Sequence, residues 1–214
     1  MMRNRVGMGL AASLCALPLV ASAAAPAVDS TPVDGVWVRH DRQFSYMGVT
    51  SHYSCDGLEY KLKSLLRLSG ARDDLVVHGS CSDARGGPSQ FATARMTYYS
   101  LALPGTPQPA AGETGKNLGH APKDLKVEPP VAGVGHWKTV DLRATHINDI
   151  QEGDCELVEQ FDREILADFT TRNHDSHFAC IPHQMSLNGI QSHFEVLAPL
   201  PKAIVTKKPA ATRD

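Results

Sequence analysis

Two periods of apolar residues run along this chain and mark out its elements. Between residues 91 and 103, Ala92, Ala94, Met96 and Tyr98 alternate with Thr93, Arg95, Thr97 and Tyr99. That two-residue period predicts a half-buried strand. Shorter extended stretches are predicted over 36–39, 43–53 and 75–78, with a solvated turn at Arg39, His40, Asp41 and Arg42. Leu58, Leu62, Leu65 and Leu66 fall at i, i+4, i+7 and i+8, one stripe of a helix that opens near Cys55. Asp56 followed by Glu59 resembles a capping box, and Gly70 is placed to end the helix in the left-handed conformation.

The second half of the chain repeats this order. Val140, Leu142 and Ala144 share a face of a strand predicted over 137–144. Val158, Phe161, Ile165, Leu166 and Phe169 form a helical stripe opening near Asp154 or Glu156, with Asn173 able to end it. Strands over 177–181 and 191–197 follow. Each half therefore reads β-α-β-β. Gly35, Trp37, Asp41, Cys55, Glu59, Leu66 and Arg72 recur 100 positions later as Gly135, Trp137, Asp141, Cys155, Glu159, Leu166 and Arg172. Rare residues matching in register suggest a duplicated unit. The expected fold is α+β: two β-α-β-β repeats, each with one helix packed on a small antiparallel sheet and one internal disulfide, joined into a single pseudo-symmetric domain. Joining buries sheet edges that each unit would otherwise expose.

The expected boundaries are a signal peptide over 1–23, a first unit over 33–104, a connector over 105–133, a second unit over 134–199 and a basic tail over 200–214. The leader is read from Arg3 and Arg5, the apolar run 6–20 and the small residues Ala21, Ser22 and Ala23. That run is shorter than the roughly 20 residues needed to span a bilayer, so no transmembrane segment is expected in the mature chain. The connector is punctuated by Pro107, Pro109, Pro122, Pro129 and Pro130, which suits a linker. Export would place the protein in the periplasm or outside the cell.

Composition narrows the partners. Removing Arg3 and Arg5 lowers the basic residues from 21 to 19 against 23 acidic ones, so the net charge goes from −2 to −4. A mildly acidic chain without a basic stripe has no field to gather nucleic acid. Of five cysteines, Cys15 lies in the leader, which leaves an even number for an oxidising compartment. Four cysteines allow three connectivities. The duplication favours Cys55–Cys81 and Cys155–Cys180, one staple per unit.

Chemistry is sparse. Imidazoles can bind zinc, copper or nickel, and His174, His177 and His183, with His193 nearby, form the densest group. They lack the H-E-x-x-H spacing that puts two ligands on one helical face. Ser186, His183 and Asp175 supply hydrolase residue types without a nucleophile elbow. The Gly115-Lys116 pair lacks the glycine and the Ser or Thr of a phosphate loop. Trp37 and Trp137 read either as equivalent anchors of the two units or, with Arg39 and His40, as ligand or interface contacts. No cofactor is implied. The expected function is a non-enzymatic binding or interaction module of the cell envelope, engaging an envelope protein or small ligand. The alternative is a histidine-dependent metal-binding protein or hydrolase.

Overall fold

The computed structural model describes residues 31–81, 88–89, 91–106, 131–143 and 149–201. The leader over 1–23, most of the 105–133 connector, most of the 200–214 tail and the side chain of Cys81 lie outside the described residues. Within them the order is β1 (Val33–Met47), α1 (Cys55–Leu68), β2 (Val76–Cys81), β3 (Phe91–Ala102), β4 (Val131–Leu142), α2 (Cys155–Glu164), β5 (Thr171–Phe178) and β6 (Ile190–Pro199). The strands form one antiparallel sheet of six in the order β2-β3-β1-β4-β6-β5. The fold is α+β.

Alternation decides what each face of this sheet carries. Opposed residues of a ladder share a face. Phe44 opposite Ala94, Tyr46 opposite Ala92, His40 opposite Tyr98 and Val140 opposite Phe194 therefore line one side. The apolar members of that side join Leu58, Leu62, Leu65 and Leu66 of α1 and Leu157, Val158 and Phe161 of α2 in one core. The other side bears Trp37 opposite Leu101 and Trp137 opposite Leu197. Leu101 and Leu197 are fully buried, yet they lie outside that core. They pack over glycines at the sheet centre. A Cβ on Gly135 would come within 2.4 Å of Leu101 and 3.2 Å of Leu197, so only glycine fits beneath them.

The helices grow from local signals, with one correction at the start. Ser54 is the N-cap of α1, and its side chain accepts from Gly57 N, whereas Asp56 lies within the first turn. A residue outside the helix can aim its oxygen at the free amides, and Asp56 is already inside. Gly70 has φ +85° and its amide bonds Arg67 O, as expected of a helix stop. The α2 helix ends at Glu164, and a single 3-10 turn, Leu166–Asp168, carries Leu166 into the core.

Two expectations change. The polar run Arg39–Arg42 is not a turn, because β1 passes straight through it. Asn173, with φ +53°, does not cap a helix but sits in a register shift of β5 between Arg172 and Asp175. A bulge of this kind twists an edge strand and blunts its pairing. The helices also cross between the halves of the sheet. Leu68 O of α1 accepts from Lys138 Nζ of β4, and α2 packs against β1 as well as β6.

Candidate functional site

Four polar groups converge beneath the helix-covered face, around Asp168. The 3-10 turn after α2 delivers this carboxylate to the first half of the sheet. Arg42 of β1 approaches it with both Nε, at 2.7 Å from Oδ2, and a terminal nitrogen on Oδ1. The Tyr98 hydroxyl of β3 donates to Oδ2 at 2.5 Å. His40 Nδ1 stands 3.7 Å from the same oxygen, and His40 Nε2 lies 2.8 Å from Ser100 Oγ. Ser100 in turn donates to the Asp168 carbonyl at 2.7 Å. The rings of His40, Tyr98 and Phe169 stack in succession at 5.2 Å and 5.7 Å.

The electrostatics follow from burial. Burial pushes His40 below the usual histidine value, partly opposed by the charge of Asp168. Burial also lifts the Tyr98 hydroxyl well above 10, reinforced by the adjacent carboxylate. The hydrogen bond to Asp168 holds the Arg42 guanidinium above its ordinary range.

Ser100, His40 and Asp168 have the residue types and order of a hydrolytic relay. A relay needs a serine that a substrate can reach and a carboxylate free to orient the imidazole. Ser100 is 1% exposed, and the Asp168 carboxylate already holds Arg42 and Tyr98. What the arrangement accomplishes is a buried, satisfied network binding the end of the α2 segment to β1 and β3.

A second polar clasp closes the other end of α2. Glu156 accepts from Val49 N at 2.9 Å, Thr50 N at 3.0 Å and Thr50 Oγ1 at 3.3 Å. Gln160 pairs reciprocally with the Met47 backbone. Tyr53 and Lys61 both donate to Asp154. Burial and that carboxylate raise the Tyr53 hydroxyl far beyond its ordinary value.

The residues singled out from sequence scatter among different roles. His40 is buried in the Asp168 network. Arg39 lies on the opposite face and pairs with Asp41, which also accepts from Thr97. Trp37 and Trp137 are half-buried on the helix-free face. The Arg72 guanidinium lies 5.3 Å from the Trp37 ring and 3.7 Å from Tyr99, and Arg172 lies 4.2 Å from the Trp137 ring. These are cation–π distances.

The histidine group divides as well. His174 bonds Asp162 at 3.0 Å and meets the Phe194 ring edge-on. His177 sits opposite Gln191 on edge strand β5. His183 lies in the following loop with φ +61°, its amide donating to Thr50 Oγ1. Ser186 is buried and accepts from Ile181 N, so it stabilises a turn. Among the described residues, no three His, Cys, Asp or Glu side chains gather as a metal site.

The three cysteines whose side chains are described are all in disulfides. Cys155 and Cys180 are bonded, with Cα atoms 5.5 Å apart. Cys55 is also in a disulfide, and Cys155 is not its partner because Cys155 is taken by Cys180. Among the described residues, no helix is long and apolar enough to cross a membrane. No protein-family model, no curated protein and no solved structure matches this chain.

Proposed function

We propose that the protein is an exported, non-enzymatic binding or interaction module of the cell envelope, built from two fused β-α-β-β units. Several features support the duplication. Asp34 pairs with Val134, its counterpart 100 positions on, so exchanging the halves maps the β1–β4 ladder onto itself. Trp37 faces Leu101 and Trp137 faces Leu197. Each tryptophan carries its own arginine, Arg72 or Arg172. The carbonyls of Leu68 and Asp168, again 100 apart, each accept a side-chain donor from the opposite half. The Cys155–Cys180 bridge suits a periplasmic or secreted protein.

The observation that carries the binding reading is the pair of Trp–Arg stacks on the helix-free face. Half-exposed Trp and Arg are the residues through which protein surfaces make their strongest contacts. An envelope protein or a small ligand would lie across them. A photoreactive residue at exposed position 139, two residues beyond Trp137 on the same strand, tests this in intact envelopes. Crosslinked adducts that disappear in the Arg72→Ala/Arg172→Ala variant, with its thermal melt little changed, support the reading. Substrate turnover abolished by Ser100→Ala would overturn it.

The His174–Asp162 contact favours one second reading, a histidine-dependent metal-binding protein or hydrolase using His174, His177 and His183. Carboxylates often orient metal-binding imidazoles in this way. Stoichiometric zinc, copper or nickel in protein purified without chelators or affinity tags, lost in His174→Ala, would support it. Metal-free protein would remove it.

A further inference from the structure

The hydrogen bonds of the Asp168 network fix where the protons of His40 sit. Ser100 has one hydroxyl hydrogen, and it goes to the Asp168 carbonyl at 2.7 Å, because that oxygen can only accept. His40 Nε2, 2.8 Å from the same hydroxyl oxygen, must therefore be the donor of that pair. A neutral imidazole has one N–H, so Nδ1 carries only a lone pair. Nδ1 stands 3.7 Å from Asp168 Oδ2, too far for a hydrogen bond and with no hydrogen between the two acceptors. The ring is held one proton short of a bond to the carboxylate.

That carboxylate oxygen is already occupied. Arg42 Nε donates to it at 2.7 Å and the Tyr98 hydroxyl at 2.5 Å. A proton on Nδ1 supplies a third donor, and a charged one. Arg42 holds both carboxylate oxygens, so the neutral Tyr98 hydroxyl is the partner that a second cation displaces. The surroundings keep the proton away at neutral pH. Burial disfavours the imidazolium most, Asp168 from the 3-10 turn favours it, Arg42 from β1 opposes it, and Asp41 from β1 favours it. Strand β3 contributes Tyr98, which burial keeps un-ionised, and the uncharged Ser100.

We propose that this cluster is a proton-operated latch at the seam between the halves. When His40 takes up a proton at Nδ1, the ring closes on Asp168 Oδ2 and the Tyr98 hydroxyl is released from it. Leaving a buried hydroxyl without its acceptor opposes the exchange, so the latch moves only in acid. The movement reaches beyond one bond. The His40 ring stacks on Tyr98 at 5.2 Å and Tyr98 on Phe169 at 5.7 Å, which ties the exchange to the chain leaving the 3-10 turn. The inference is independent of the Trp–Arg reading, because it concerns the helix-covered side of the sheet.

Nitrogen-15 NMR of the histidine side chains, with His40→Gln to assign the signal, tests it from about pH 8 to about pH 5. At the basic end the wild type should show the Nε2–H tautomer. Acid should then add the second proton at Nδ1 while the protein is still folded. Tyr98→Phe removes the competing hydroxyl and should raise the midpoint by about one pH unit. Ser100→Ala takes away the acceptor of Nε2, so the neutral ring should change to the Nδ1–H tautomer and bond Asp168 directly. An Nδ1–H tautomer in the wild type at the basic end would overturn the proposal. So would a His40 that charges only as the protein unfolds, or one whose tautomer and midpoint are unchanged by both substitutions.

Discussion

His40 faces Tyr98 across the β1–β3 ladder, and Val140, 100 positions after His40, faces Phe194 across β4–β6. All four side chains are buried on the helix-covered side of the sheet. One rung is polar and the other apolar, and each dictates a different neighbour. The polar rung, extended by Ser100 and Arg42, is satisfied by a carboxylate carried over from the α2 segment. The apolar rung closes with Val196 and Phe161 in the core. Leu68, 100 positions before Asp168, has no carboxylate to offer. The difference teaches that the two halves are joined by chemistry as well as by the β1–β4 ladder: Asp168 pins one half onto the other. A purely apolar contact would tolerate small shifts of register, whereas a multi-bonded carboxylate tolerates few.

The largest test of that comparison removes the carboxylate. Asp168 is 3% exposed and Arg42 24%. Taking away one partner of such a pair leaves a partly buried charge uncompensated, a loss of about 3–5 kcal/mol. Asp168→Ala should lower the denaturant midpoint accordingly, and Leu68→Ala should cost about 2–5 kcal/mol only if Leu68 is as enclosed as the core leucines around it. Its partial burial predicts the smaller loss. Should Asp168→Ala prove nearly neutral, the network would not be holding the halves together.

A smaller effect comes from exchanging the two rungs. Tyr98→Phe removes one hydrogen bond to a charged acceptor, about 1.5–3 kcal/mol. Phe194→Tyr adds a hydroxyl to a fully buried ring that packs edge-on against His174, and leaving that hydroxyl unpaired costs about 1–3 kcal/mol. Both changes should destabilise, although they are chemical opposites. A neutral Phe194→Tyr would show that the apolar rung has a hidden acceptor and that the contrast is superficial. Urea unfolding of both variants decides it.

Much of the fold was legible because it is encoded locally. Leu58, Leu62, Leu65 and Leu66 can share a face only in a helix, and all are buried. The alternation of Ala92, Ala94, Met96 and Tyr98 foretells β3 and its buried side. The β1 strand was obscured because its buried stripe contains polar members. Val38, His40, Phe44 and Tyr46 all alternate inward, but His40 between Arg39 and Asp41 looks like a solvated turn. Reading that stripe without interruption is the signal that could have placed His40 inside. The Asp168 network was beyond local reading. Arg42 and Asp168 lie 126 positions apart, and no short-range pattern says which half of a sheet a helix end will cross.

The smallest expected effect concerns pH, and it isolates His40. Burial places its folded-state value below the ordinary 6.5, so on acidification the unfolded chain takes up the proton first. The stabilising contribution of the neutral ring is therefore fully present above pH 6.5. It is lost as pH falls from there through the folded-state value. The opposing pull of Asp168, 3.7 Å away, limits the depression and keeps the effect modest. His40→Gln retains an amide donor for Ser100 Oγ but cannot titrate. Urea unfolding at pH 7.5, 6.5 and 5.5 should show a shallower loss of stability in His40→Gln than in the wild type. Val140→His offers the complement: an imidazole on the apolar rung, without a carboxylate to offset its burial, should steepen the acid loss. Equal slopes in all three proteins would mean that acid sensitivity arises elsewhere, and that the polar rung differs from the apolar one in bonding alone.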